Sequence, residues 1–184
     1  MKSIATSQDF NPLIVAYPSA VATFYTPSDL CGTGGMRSER IRAVTSWRGG
    51  SSRHDCVFVT QDLSPAPPAN MRDLCIARVT LFFSFTHRHI IHQCALVCLF
   101  PFKADEPDED TGMWIVENSQ NEISQVIPLE TIYRAAHLIP VYHGVSMLSR
   151  TLSAADSLNH FHFYYVNKFI DHHTFEILHQ SDSS

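Results

Sequence analysis

Two groups of side chains have the types that could do chemistry. His160-x-His162 is followed by Asp171-His172-His173. Three of these meeting in space would form a facial nitrogen and oxygen site for a metal such as zinc, or a carboxylate–imidazole pair for hydrolytic acid–base work. Neither HExxH nor a pair of CxxC motifs accompanies them, so a structural or pH-responsive role is favoured and the zinc or hydrolytic reading is the alternative. His87, His89 and His92 lie near Cys94 and Cys98. Their spacing puts imidazoles at a turn and thiols several steps along a strand, which suits a solvent-facing hairpin tip better than a zinc centre.

Other chemistries lack a local signature. Cys98 has no nucleophile elbow around it and reads as a core thiol. Gly32-Thr-Gly-Gly35 lacks the Lys-Ser/Thr of a phosphate-binding loop, and the acidic run Asp105 to Asp110 does not match a calcium-loop spacing. Catalytic residues are therefore expected to be absent.

Binding has better candidates. If some of Phe83, Phe85, Phe100, Phe102 and Trp114 lie on one exposed end of the fold, they would line an aromatic groove for a peptide or methyl-lysine, with core packing as the competing role. Arg37, Arg40, Arg42, Arg48 and Arg53 are the only local concentration of positive charge. They make DNA binding an alternative, although a net charge of −5 disfavours a dominant phosphate-neutralising surface. Protonation of the eleven histidines below about pH 6.5 would move that charge toward or past zero.

The elements that must position these residues are mostly strands. A chain of 184 residues, 45% hydrophobic and 17% charged, supports one core without metal or disulfide. Residues 1–21 read as a weakly ordered extension, 22–179 as one β-rich domain and 180–184 as a tail. Phe24 to Met36 is punctuated by Pro27, Gly32, Gly34 and Gly35 and reads as a loop; Glu39 to Trp47 reads as extended. Asp55 to Thr60 is a strand, and Ser64 to Asn70 cannot continue it because of its prolines. Leu74 to Thr86 and Ile90 to Phe102 form an antiparallel hairpin.

Beyond the acidic loop, Met113 to Glu117 is a short strand, Ile123 to Leu129 is extended, Glu130 to Tyr133 is a helical turn and Arg134 to Val141 returns to strand. Leu158 to Asn167 is a strand or a short buried helix, and Asp171 to Leu178 a terminal helix. The expected fold is mainly β (α+β): a small antiparallel barrel-like sheet with a long hairpin and a short C-terminal helix. The five cysteines, an odd set mostly within apolar runs, suit free thiols in a reducing compartment. With no run of eighteen apolar residues, no membrane partner is expected. The location expected is intracellular, nuclear or cytoplasmic, and not secreted.

Motifs in order also resemble a family: the carboxy-terminal module of proteins encoded by, or derived from, Plavaka-like CACTA transposons of mushroom-forming fungi. The matching residues are Phe24-Tyr-Thr-Pro-Ser-Asp-Leu-Cys-Gly-Thr-Gly-Gly-Met36, Glu39-Arg-Ile-Arg-Ala43, Trp47-Arg48, Asp55-Cys-Val-Phe-Val59, Ala77-Arg-Val79, Cys94-Ala-Leu-Val97, Asp110-Thr-Gly-Met-Trp114, Ala135-Ala-His-Leu138, Tyr165-Val-Asn-Lys168 and Asp171-His-His173. The chain departs from that pattern at Val97-Cys98, where His-Trp is usual, which weakens an aromatic cage. The resemblance implies a separated tail, with any catalytic carboxylates upstream of it. Cys56 to Val59, Ala77 to Phe83, Ala95 to Phe102 and Val126 to Ile132 are also similar in order to the strands of bromo-adjacent homology domains, β-rich chromatin modules. Together these imply a non-enzymatic interaction module without a cofactor, whose partner is an unidentified protein or chromatin component.

Overall fold

The computed structural model describes residues 13–26, 33–61, 68, 70–118, 124–142 and 157–179. Residues 1–12 of the expected extension, Cys31, most of the proline-rich segment and the 180–184 tail lie outside the described residues. In chain order the strands are β1 (Ile14–Tyr17), β2 (Ser19–Tyr25), β3 (Met36–Val44), β4 (Arg53–His54), β5 (Cys56–Thr60), β6 (Leu74–His87), β7 (Ile90–Phe100), β8 (Ile115–Glu117), β9 (Ser124–Pro128), β10 (Ile132–Ala136), β11 (Leu138–Pro140) and β12 (Phe163–Val166). Among the described residues there are two α-helices, α1 (Ser157–His160) and α2 (His172–His179).

The long apolar runs pair as expected. β6 and β7 form one hairpin, from Ile76 opposite Phe100 out to His87 opposite Ile90. Arg88 and His89 close it with φ of 50° and 64°. Positive φ at both central residues is the geometry whose twist matches two flanking strands, here adopted without glycine. A register shift between Val79 and Leu81 divides β6. Its first part pairs with β5 through Leu74 to Arg78, and its outer part pairs with β1 through Phe82 to Phe85. The bulge residue Thr80 donates its hydroxyl to the carbonyl of Leu96 at 2.9 Å.

The chain is mainly β and its strand pairings are antiparallel. The largest sheet runs β10-β5-β6-β7-β9, with β1 beside the outer part of β6; β2-β3-β4 and β11-β12-β8 form two smaller sheets. Among the described residues none closes into a barrel; the sheets lie in layers, and the barrel-like detail of the expectation is not confirmed. Layering follows from the two-residue period of β5. Cys56 and Phe58 join Ile76, Phe100, Trp114, Val116, Phe161, Tyr164, Val166 and Ile177 in one core. Val57 and Val59 join Phe24, Ile41, Ala77, Val79, Phe82, Ala95 and Val97 in the other. The large sheet is therefore covered on one side by β2 and β3, and on the other by β8, β12 and α2.

Three local expectations change. Residues 14–21, expected in a loose extension, are strand apart from Pro18. β1 is only four residues long, too short to show a period, but a neighbouring strand edge supplies its ladder. Phe24 and Tyr25, expected in a loop, complete β2, opposite Arg37 and Met36. Leu158 to Asn167 holds the end of α1, which buries none of its residues, and then the expected strand, β12.

Phe58 is 2% exposed at the centre of the first core. Phe58→Ala should cost about 3–5 kcal/mol in denaturant unfolding, because the surrounding strands cannot close the cavity. Val21→Thr, on the exposed face of β2, should stay within about 0.5 kcal/mol of the parent.

Candidate functional site

The most concentrated polar chemistry surrounds Arg134, which β10 places with only 2% of its surface exposed. A guanidinium cannot shed its charge, so burial demands a partner. Asp171, immediately before α2, provides it: Arg134 Nη1 donates to Oδ1 at 3.0 Å and Nη2 to Oδ2 at 2.5 Å. Glu39 of β3 approaches Nη2 at 3.6 Å while its other oxygen accepts from the backbone N–H of Ala135. Phe24 of β2 lies under the guanidinium, 4.5 Å from ring centroid to Cζ. The same ring stacks on His173 at 5.2 Å with the planes 10° apart.

Hydrogen bonding determines the His173 tautomer. Arg134 Nη1, which can only donate, lies 3.0 Å from Nδ1; Nδ1 therefore accepts, and the proton sits on Nε2, 3.3 Å from the Tyr133 hydroxyl. Burial, reinforced by the Arg134 charge, pushes His173 below its usual pKa and holds it neutral. Burial opposes the ionised form of Asp171 as well, but the Arg134 hydrogen bonds, the Thr174 N–H and the guanidinium charge outweigh it and hold this carboxyl at about 2. Burial raises Glu39, because its longer contact to Arg134 and its bond from Ala135 compensate only in part. Tyr133 is raised by burial against the Arg134 charge, which keeps its phenol protonated. The imidazole lone pair is occupied by a permanent donor, so the cluster is built to hold elements together rather than to take up a proton or metal.

The proposed metal set does not converge. Asp171 and His173 share Arg134, whereas His162 faces Glu117 at 3.1 Å and His172 faces Glu176 at 3.4 Å across one helical turn. His160 is exposed at the end of α1. Among the described residues no three His, Cys, Asp or Glu side chains are placed to hold a metal ion. For His160, His162, Asp171, His172 and His173, proximity in sequence is not convergence in space. His92 stacks on Phe85 at 5.0 Å, and the Cys98 thiol meets the Ser124 hydroxyl at 3.6 Å. In the acidic segment, Asp108 accepts from the N–H and hydroxyl of its own Thr111 and closes a turn.

The five aromatic candidates divide. Phe100 and Trp114 are buried in the first core, with Phe102 packed against it 5.2 Å from Trp114. Phe83 and Phe85 are half-buried on the outer part of β6, where register partners place Ile14, His92 and Cys94 on the same face. The five therefore share no single groove. The outer hairpin, flanked by β1 and β9, instead forms an arm with exposed Ile14, Val15, Tyr17, Ile90, Ile91 and Val126.

The arginines divide by strand alternation. Arg37 shares its side of β3 with Glu39 and the buried Ile41, and its charge is felt at Glu39. Arg40 and Arg42 lie on the opposite side. Arg42, Arg48 and Arg53 surround Trp47, with Cζ atoms 4.4, 5.3 and 5.5 Å from the ring centroid.

Arg134, Glu39, Phe24 and Tyr133 were missed as partners by sequence reasoning, as was Trp47. The available signal was Arg134 itself, an arginine inside an apolar strand segment that requires an acid from elsewhere. No sequence rule says which acid.

Truncating Arg134→Ala should cost about 3–5 kcal/mol in denaturant unfolding, because Asp171 and Glu39 lose their counter-charge. His173 is protonated more readily unfolded than folded, so its stabilisation is full above the unfolded value of 6.5 and falls away as pH drops below it. Asp171 adds a further loss, about 2 kcal/mol, as pH falls from 3.8 through about 2. Raised Glu39 works in the opposite direction, its penalty easing on acidification toward 4.5. His54, also lowered by burial and the Arg78 charge, adds to the same window, so a stability titration should show the first decline below pH 6.5, and His173→Gln should reduce that decline without removing it. Compared with known proteins, the chain matches no family model, no curated protein and no solved structure.

Proposed function

We propose that this chain is a non-enzymatic interaction module that takes up an extended apolar segment of a protein partner along the β1 edge of its arm. The observation that carries this reading is β1 itself: all four residues, Ile-Val-Ala-Tyr, are exposed, and β1 pairs on one side only among the described residues. An apolar edge strand normally carries a charge, a bulge or a cover that prevents pairing with other chains. β1 has no charged residue and a continuous register with β6. Its free backbone groups would supply affinity, and the alternating apolar positions beside it would supply selectivity.

The Arg134 cluster supports the non-enzymatic part of the reading, since its imidazole is neutral and already bonded through both nitrogens. On the resemblance to Plavaka-like transposon modules and bromo-adjacent homology domains, the partner belongs to a transposase assembly or chromatin, and the module works inside the cell, in the nucleus or cytoplasm.

A displayed random-peptide library selected on the immobilised chain should return sequences of alternating apolar residues that slow hydrogen exchange of the β1 amides. Val15→Lys with Tyr17→Lys should reduce their affinity at least tenfold. Recovery of no sequence, or of peptides that bind the double variant equally well, would remove this reading.

A further inference from the structure

The Trp47 turn is a second surface, remote in sequence from β1 and different in chemistry. Its backbone is braced from within: the N–H of Trp47 donates to the Ser51 carbonyl at 3.0 Å, that of Gly50 to the Trp47 carbonyl at 2.9 Å, and the Ser46 hydroxyl to the Gly50 carbonyl at 3.0 Å. Arg48 and Gly49 cross the tip with φ of 52° and 76°. Around this frame, three guanidiniums lie within 5.5 Å of one indole centroid. No two of them are then more than about 11 Å apart, close to one screening length at moderate salt.

Negative charge does not balance this convergence. Asp55 accepts from Arg53 Nε at 2.8 Å, and its other oxygen accepts from the backbone N–H of Arg42 at 2.9 Å. Among the described residues Arg42 and Arg48 have no carboxylate partner. Arg40 extends the array along β3, exposed and oriented by a 2.9 Å bond to the Ser19 hydroxyl. Two residues along a strand separate neighbouring side chains by about 7 Å. The cations thus form a row, which suits a polymer of repeating anions better than one phosphoryl group. Arg53 uses its Nε and Nη2 donors on Asp55, and Arg42 Nη1 donates to the Arg40 carbonyl at 3.5 Å, so Arg48 and the remaining donors of Arg40 and Arg42 are those open to an oxygen acceptor.

We propose that Arg40, Arg42, Arg48 and Arg53, arranged around Trp47, form a contact for the phosphodiester backbone of a nucleic acid. Contact is to phosphate oxygens and independent of base sequence. Four arginines on a chain of net charge −5 make it a local grip rather than a whole-surface one, with dissociation constants of order 10⁻⁴ to 10⁻⁶ M at physiological salt.

The test is titration of the purified chain with labelled oligothymidylate and with a mixed-sequence duplex. With the Arg53 charge offset by Asp55, phosphate contacts from Arg40, Arg42 and Arg48 predict an affinity falling about 20- to 40-fold between 50 and 200 mM salt. Arg48→Gln, an exposed turn substitution, should make the logarithmic salt slope shallower by about 0.7 for the single strand or 0.9 for the duplex. Arg42→Gln with Arg48→Gln should double that change, whereas Arg72→Gln should leave the slope unaltered, each fold being checked by circular dichroism. Bound oligonucleotide should also alter the indole fluorescence, and Trp47→Phe should abolish that signal. Absent or salt-insensitive binding, an unchanged slope in the double variant, or binding to phosphatidylserine vesicles but to neither nucleic acid would overturn the proposal.

Discussion

A permanent positive charge buried at the junction of four segments is the constraint to which much of the structure answers. Arg134 cannot neutralise itself, so Asp171 must arrive at its guanidinium with both carboxylate oxygens. Asp171 also accepts from the N–H of Thr174 in the first turn of α2. One carboxylate therefore satisfies the buried charge and caps the helix that closes the first core through Ile177 and Leu178. Glu39 and Phe24 bring β3 and β2 to the same guanidinium, so the cover over the second core is referenced to the same point. Such a network adds little net energy over a well-packed apolar alternative. Its contribution is to make misplacing any one element costly.

The second constraint is the length of β6. A strand of fourteen residues exceeds what two covering layers can bury. Its first part lies between them, with Leu74, Ile76, Ala77 and Val79 fully buried. Beyond the bulge at Thr80 it continues with β7 as an arm, where half-buried Phe83 and Phe85 lead to exposed Ile90 and Ile91. The same hairpin thus supplies the interior of the fold and its most apolar accessible surface. β1 joins only the outer part, opposite the buried Phe82 and Ser84, and its other side forms a short apolar edge.

The two proposed surfaces differ in how they would hold a ligand. An edge strand binds through directional backbone bonds and apolar contact, and is comparatively insensitive to salt. The arginine row around Trp47 would bind through charge and weaken as ions compete. Both can serve one protein that joins an extended peptide to a nucleic acid, and neither draws on the interior charge cluster.

Much of the architecture was legible in the residues. Proline-bounded β-branched runs identified β5, β6 and β7, and the polar step between the longer runs marked their hairpin, because local sterics and a two-residue period act over a few neighbours. Asp171 and His179 likewise bracketed α2 through its end charges. Strand β1 escaped because four residues show no period until β6 pairs with them. Barrel closure could not be read from the residues, since closure depends on how sheet edges meet and not on the strands themselves. Residue type marked His160, His162, Asp171, His172 and His173 as one chemical group, but only tertiary packing separated them, sending His162 to Glu117, His172 to Glu176, and Asp171 and His173 to Arg134. By itself the sequence determined which side chains carry charge, which are apolar and which segments extend; only the tertiary structure decided which charges neutralise each other. Pairing depends on distances of a few ångströms between groups that lie, like Glu39 and Arg134, almost a hundred residues apart in the chain.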